Sequence, residues 1–366
     1  MKFTAAKELL VKPLQAVIGV VERRQTMPIL ANVLVSAQNS QLTITATDLE
    51  VELITVTEID AIDVPGEITV PGRKLLDICR ALPEAAAVKA SLEGDRLVIK
   101  SGRSRFVLST LPAVEFPIVD DIAPDYEIEL EQCALARLLE KTQFSMAQQD
   151  VRYYLNGLLI ETSDTRMRAV ATDGHRLALC DIDIEKAGTG HQQVIIPRKG
   201  VLELGRLLGN EGTVKISLGS NHVRAELRDM CFTSKLIDGR FPDYDKVIPE
   251  LEGNVLTVSR EALQHGLQRA AILSNEKFRG VRLELRHHSL KIQANNPDQE
   301  EAEDEMEVDY DGADMEIGFN VNYLLDALGA VNGEQVELGV ADPNSSCLIS
   351  EPNNQLYKYV VMPMRL

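Results

Sequence analysis

The chain has 366 residues, of which 45% are apolar, 26% charged and only 4% aromatic. That length allows two to four domains at roughly 100–200 residues each, and the composition excludes a disordered chain. No run approaches the ~20 apolar residues of a membrane helix, and Met1-Lys2-Phe3-Thr4 opens no charged-then-apolar leader, so a cytoplasmic protein without a membrane partner is expected. The five cysteines (Cys79, Cys133, Cys180, Cys231, Cys347) are widely spaced and read as reduced core residues. The net charge of −18 argues against nucleic acid until its distribution is seen. Between Ile292 and Tyr357 there are sixteen Asp and Glu and no Lys or Arg; the rest of the chain holds all 38 basic residues and only 40 acidic ones. A basic surface outside the acidic region is therefore open.

In chain order, a short strand near Phe3 precedes a helix with Leu10, Pro13, Leu14 and Val17 at i, i+3, i+4 and i+7. Pro13 costs about 3 kcal/mol inside a helix, so the helix either starts late or kinks there. Alternating strands follow at 32–37, 41–47 and 51–57. The same order then recurs: Ile68-Thr69-Val70, a helix over 73–82, and strands at 88–92, 96–100 and 105–110. Further helices are expected at 133–146, 198–208, 260–272 and 320–330.

A longer repeat overlies these halves. Thr47-Asp48 returns as Thr172-Asp173 and Phe116-Pro117 as Phe241-Pro242, both 125 residues on. Ala46, Ala171 and Ala294 close three matching strands. Three copies fill the chain, at 1–122, 126–248 and 253–366, joined near 120–128 and 248–254. The fold class is α+β: three similar domains, each with two helices and two antiparallel sheets.

Chemistry is scarce. No phosphate loop, GxGxxG, HExxH or GxSxG is present. Glu307-Val308-Asp309-Tyr310-Asp311-Gly312 imitates the start of a calcium loop but has Gly318 where a bidentate Glu belongs. It reads as a solvated acidic strand and turn. His287-His288 reads as a polar turn rather than a metal site, and Asp48 and Asp173 as strand-end caps rather than catalytic carboxylates. No cofactor, metal or active site is expected. A metal-dependent hydrolase using the acidic segment and a repeat adaptor without nucleic acid are the competing classes.

Several long stretches resemble the bacterial DNA polymerase III β subunit family, the sliding clamps. They are Gly102-Arg103-Ser104-Arg105-Phe106, Gln149-Asp150-Val151-Arg152-Tyr153-Tyr154-Leu155-Asn156-Gly157 and Ala171-Thr172-Asp173-Gly174-His175-Arg176-Leu177. Asp238-Gly239-Arg240-Phe241-Pro242-Asp243-Tyr244, Ala271-Ile272-Leu273-Ser274-Asn275-Glu276-Lys277 and Tyr359-Val360-Val361-Met362-Pro363-Met364-Arg365-Leu366 complete the set. The resemblance implies a non-catalytic homodimeric ring that encircles duplex DNA, with helices lining the hole. Its implied partners are the polymerase III α subunit, a clamp loader and other proteins with clamp-binding motifs.

The same resemblance implies DNA contacts at Arg24, Arg73, Gln149, Tyr153 and Tyr154, the alternative being that the two tyrosines are core. Arg73, Lys74, Arg80, Arg137, Lys141, Arg198, Lys199 and Arg206 on the helices would add phosphate-directed charge. Helix 320–330 carries Asp326 and no base, so the third copy should contribute least. A partner-peptide pocket is implied at Leu155, Thr172, Gly174, His175, Arg176, Leu177, Pro242, Val247, Val360, Met362, Pro363 and Met364. The alternative is that the C-terminal tail is a final edge strand over its own core. The dimer interface would join Phe106, Leu108, Arg96, Arg103 and Arg105 of one subunit to Ile272, Leu273, Glu300, Glu301 and Glu303 of the other.

Overall fold

The structure, a computed structural model, describes residues 1–21, 27–59, 61–119, 123–185, 191–249 and 255–365. Arg24 lies outside the described residues. Six α-helices occur among them: α1 (Lys7–Val17), α2 (Gly72–Ala81), α3 (Gln132–Glu140), α4 (Arg198–Leu207), α5 (Arg260–Ala271) and α6 (Val321–Ala330). The i, i+3, i+4, i+7 residues of α1 are all buried, as the periodicity demands. Pro13 is the seventh residue of this helix, not part of its first turn, so the late start does not occur. Helix α3 is shorter than its apolar pattern suggested. The Thr142 hydroxyl donates back to the Leu138 carbonyl at 2.8 Å, and the chain tightens into a 3-10 turn at Gln143–Ser145.

Among the described residues the strands form four antiparallel sheets. One has five strands, in the order Ala61–Val64, Lys2–Ala6, Ala87–Glu93, Arg96–Ser101 and Ser104–Ser109. A second has eight: Tyr126–Glu131, Thr213–Leu218, His222–Glu226, Met230–Lys235, Val51–Glu58, Gln41–Thr47, Asn32–Gln38 and Gly66–Pro71. The third also has eight: Gln192–Pro197, Gly157–Thr162, Arg166–Thr172, Arg176–Asp183, Asn354–Val361, Cys347–Glu351, Gln335–Gly339 and Val255–Ser259. The fourth has four: Glu301–Glu307, Ser289–Asn295, Gly280–Arg286 and Met315–Asn320. Ala61–Val64 has no counterpart among the strands expected from sequence.

Each eight-stranded sheet is made of two half-copies from different repeats. In the second sheet Met230–Lys235 of copy two pairs with Val51–Glu58 of copy one, placing Phe232 opposite Leu53. In the third, Asn354–Val361 of copy three pairs with Arg176–Asp183 of copy two, placing Tyr359 opposite Ala178. Leu53 and Ala178 are again 125 residues apart, so the two junctions share one register. Backbone pairing across copies also regroups the chain. Met1–Cys133 with Lys199–Leu236 forms one compact unit, and Ala134–Arg198 with Ile237–Leu366 forms another. Among the described residues every cysteine is free; Cys79, Cys180 and Cys347 are core, but Cys133 is exposed, against expectation. Burial pushes the Cys347 thiol up to about 12, so it is inert.

Candidate functional site

The Thr-Asp pair that marks the repeat builds the same turn twice. Asp48 Oδ1 accepts from the backbone N–H groups of Glu50 (2.9 Å) and Val51 (2.7 Å). Asp173 Oδ1 accepts likewise from His175 (2.9 Å) and Arg176 (3.0 Å). The threonine hydroxyls donate to Val51 O and Arg176 O, so both residues of each pair close the turn as capping groups. The apex is left-handed in both, Leu49 at φ +78° and Gly174 at φ +87°. Leucine bears a steric cost there that glycine escapes. A side chain at 174 would also meet the Arg152 guanidinium at 2.8 Å.

Arg176 turns this corner into a hub. Its guanidinium pairs with Asp173 (3.1 Å) and Asp326, donates to Phe144 O (2.7 Å), and lies over the rings of Phe144 (5.5 Å) and Tyr323 (4.6 Å). His175 stacks on Tyr323 at 6.4 Å, and its carbonyl accepts the Met362 N–H at 2.9 Å. Beneath, Leu177, Phe241, Tyr244, Val360 and neighbours form one apolar cluster, with Val247 half-buried against it. Leu155 is buried one residue after Tyr154, which packs on this cluster, while Gly174, His175 and Pro242 are exposed and Thr172, Met362, Pro363 and Met364 half-exposed. The strand Asn354–Val361 lies inside its sheet, between two partners, so the tail is not an edge strand. Past Val361 it leaves the ladder, tied back by Met362 and by Met364 N–H to Gly318 O at 2.8 Å.

Gln149, Tyr153 and Tyr154 share a loop of the second unit. Asp150 and Asn156 clamp its ends by two reciprocal hydrogen bonds (2.9 and 2.8 Å). Gln149 is exposed and left-handed at φ +58°, Tyr153 is 57% exposed, and the tyrosine rings meet edge-on at 5.8 Å. At least Tyr153 is therefore not core. Arg152 pairs with Asp150 at 2.9 Å and holds the Asp150 carboxyl down to about 2.

The helix bases divide sharply. Lys74, Arg80 and Arg137 are exposed and carry no ion pair among the described residues. Arg73, in the first unit, is half-buried and donates to Val21 O at 2.9 Å, and its buried Nε has no hydrogen-bond partner among the described residues. Arg198 faces the carbonyls of Gln143 and Met146, Lys199 is bound to Asp48, and Arg206 donates to Gln15 O and Ala16 O. Lys141 is buried and donates to Ala330 O and to Asn332 Oδ1 (2.7 Å), so it offers no charge to solvent, against expectation. Burial pulls its ammonium below the usual lysine value.

The expected interface residues fall on or next to two sheet edges and at one helix end. Ser104–Ser109 and Glu301–Glu307 each end a sheet. Arg96, Arg103 and Arg105 are exposed, Phe106 is half-exposed and Leu108 buried; Glu300, Glu301 and Glu303 are exposed. Ile272 is 76% exposed just past α5, with Leu273 half-exposed beside it. Sequence reasoning missed Arg152, Phe144, Tyr323 and Phe278. Phe278 alone had a local signal, an aromatic within a polar Asn275–Arg279 turn, and it is 54% exposed.

Comparison with known proteins agrees with this architecture. The chain matches the DNA polymerase III beta subunit family in all three of its parts: the N-terminal domain over residues 1–120, the central domain over 129–243 and the C-terminal domain over 245–365. It is 55% identical to the beta sliding clamp of Pseudomonas putida and 52% identical to that of Escherichia coli K12, over the whole of each chain. The crystal structure of the DNA polymerase III subunit beta from Pseudomonas aeruginosa superposes with a TM-score of 0.97 at 52% identity, covering both chains fully.

Proposed function

The chain belongs to the DNA polymerase III β subunit family and is a DNA sliding clamp, a processivity factor for DNA polymerase III; from that premise we propose how its surfaces divide the work. Two copies close head to tail into a ring of six domains, bounded in each chain at 1–122, 126–248 and 253–366. The observation that carries this reading is the unfinished sheet pattern. Half-copies join at two junctions, leaving one half-copy unjoined at each end of the series: the edge Ser104–Ser109 and the edge Glu301–Glu307. A heterologous contact that joins these edges and closes is what a ring requires.

The repeat supplies the register. Phe106 follows its hairpin partner Ile99 as Phe232 follows Ala225 and Tyr359 follows Ile349. Ala302 lies beside Ala294 as Leu53 lies beside Ala46 and Ala178 beside Ala171. Carrying the junction register over sets Phe106 opposite Ala302, Arg105 opposite Glu303, Val107 opposite Glu301 and Leu108 opposite Glu300. Phe232 and Tyr359 are almost wholly buried at their junctions, whereas Phe106 remains half-exposed, as an unjoined edge would leave it. Ile272, Leu273 and Phe278 supply apolar contact nearby, and Arg96 and Arg103 add to the basic side.

DNA is held by charge and stacking without base readout. Arg73, with Arg24, contacts phosphates; Gln149, Tyr153 and Tyr154 form a clamped polar-aromatic loop; Lys74, Arg80 and Arg137 supply unpaired positive charge. The acidic third copy keeps DNA off the remaining surface. No residue is catalytic. The hub around Arg176, with Leu155, Thr172, Gly174, His175, Leu177, Pro242, Val247, Val360, Met362, Pro363 and Met364, takes short apolar peptides of the polymerase α subunit, the loader and other partners. Such partners place the protein in the cytoplasm. The test of this division is a sedimentation and peptide-binding comparison. Ring-edge variants should become monomers that still bind peptide, and tail-truncated variants should remain rings that do not.

A further inference from the structure

The β-turn at His287-His288 and the acidic stretch ending at Asp311 are 23 residues apart in sequence, and each reads as unremarkable alone. The fold joins them. His288 is left-handed at φ +57° and its N–H donates to Tyr310 O at 3.0 Å, while Val308 N–H donates to His288 O at 3.1 Å. Tyr310 is buried, and its hydroxyl donates to Ala313 O at 2.7 Å, which fixes the chain on both sides of Asp311. Asp311 Oδ1 consequently lies 3.1 Å from His287 Nδ1 and 3.7 Å from His288 Nε2.

The geometry points to a binding site for a divalent transition metal ion, of the zinc type, held by His287, His288 and Asp311. Zinc binds His nitrogen and Asp oxygen at roughly 2.0–2.2 Å, so ligand atoms at the corners of a tetrahedron are about 3.3–3.6 Å apart. The two separations bracket that edge, and all three donor atoms lie within 4.8 Å of one another. All three residues are exposed, so packing does not restrain their side chains from adjusting around an ion. A mixed imidazole and carboxylate set favours zinc over the hard ions that take oxygen alone. His288, Glu307 and Asp309 also line one surface hollow, so two further carboxylates set a negative field at the site. Water takes the fourth position. The bound ion ties the turn at 287–288 to the connection after Glu301–Glu307. The inference does not depend on the ring.

The test is zinc chloride titration of the chelator-treated full chain by calorimetry, with His287→Ala, His288→Asn and Asp311→Asn alongside. Asparagine at 288 tolerates the left-handed backbone, so that variant keeps the turn. The expected result is one saturable zinc per chain, and an affinity at least about tenfold weaker in every variant, since even outer partners of a metal ligand are worth about 10–100-fold. Zinc should raise the melting temperature of the parent and not of Asp311→Asn. No saturable binding by the parent leaves only a histidine–aspartate contact and overturns the site. Binding of equal strength in all three variants places the zinc elsewhere and overturns it equally.

Discussion

At the scale of single residues, charge type says little until its partner is known. Lys141 and Arg137 are four residues apart at the end of α3, yet one is buried against carbonyl groups and the other stands in solvent. Replacing Lys141 by Ala strips Ala330 O and Asn332 of a donor and should cost about 2 kcal/mol in urea unfolding, with the salt dependence of DNA binding unchanged. Arg137→Ala should do the opposite, leaving stability within about 0.5 kcal/mol and lowering the salt slope by about 0.9 at most. Arg24 and Arg73 replaced together by Ala should flatten that slope further. An unchanged slope would remove them from the DNA surface. Asp150 gives a pH signature. Its folded value of about 2 lies below the ordinary carboxylate value of about 3.9, so its support for the loop is present above that ordinary value and is lost as pH falls toward 2. Arg152→Ala should return the carboxyl titration, followed by NMR, toward the ordinary value.

At the scale of elements, most of the fold was legible because its periods are clean. The buried positions of α1 and the alternation along Ser289–Asn295 follow directly from one-sided packing. What was not legible were long-range debts. The end of α3 depends on one hydroxyl at Thr142, and the surroundings of Arg176 depend on Tyr323 and Phe144, whose local patterns read only as helix face and turn. Arg176 was visible from its motif, but not its contacts with Phe144, Tyr323 and Asp326 on distant elements. The edges carry a further prediction. Ile272→Ala with Leu273→Ala should give a folded monomer at micromolar concentration, since such apolar anchors typically cost over about 2 kcal/mol each. Arg105→Glu should also yield monomers, and Glu303→Arg in the same chain should restore the dimer if these two residues face each other. Restoration failing while each single variant dissociates would shift the register.

At the scale of the whole molecule, the internal repeat is the strongest signal in the sequence, and it accounts for both the sheets that join and the edges that do not. It could not reveal which side chains each junction consumes, because Lys199 on Asp48 and Arg206 on the Gln15 and Ala16 carbonyls are contacts between copies. Deleting Met362 to Leu366 removes the tail beyond Val361 but no ladder pair, so the ring should assemble and slide while polymerase-derived peptides no longer bind. The central claim is topological: DNA is held because it is enclosed, not because it is tightly bound. The measurement is retention of the loaded protein on a nicked circular duplex during gel filtration at high salt, before and after the circle is cut once. Co-migration with the circle followed by release from the linear product is the predicted result. Equal retention on both forms, or equal loss from both, would contradict enclosure.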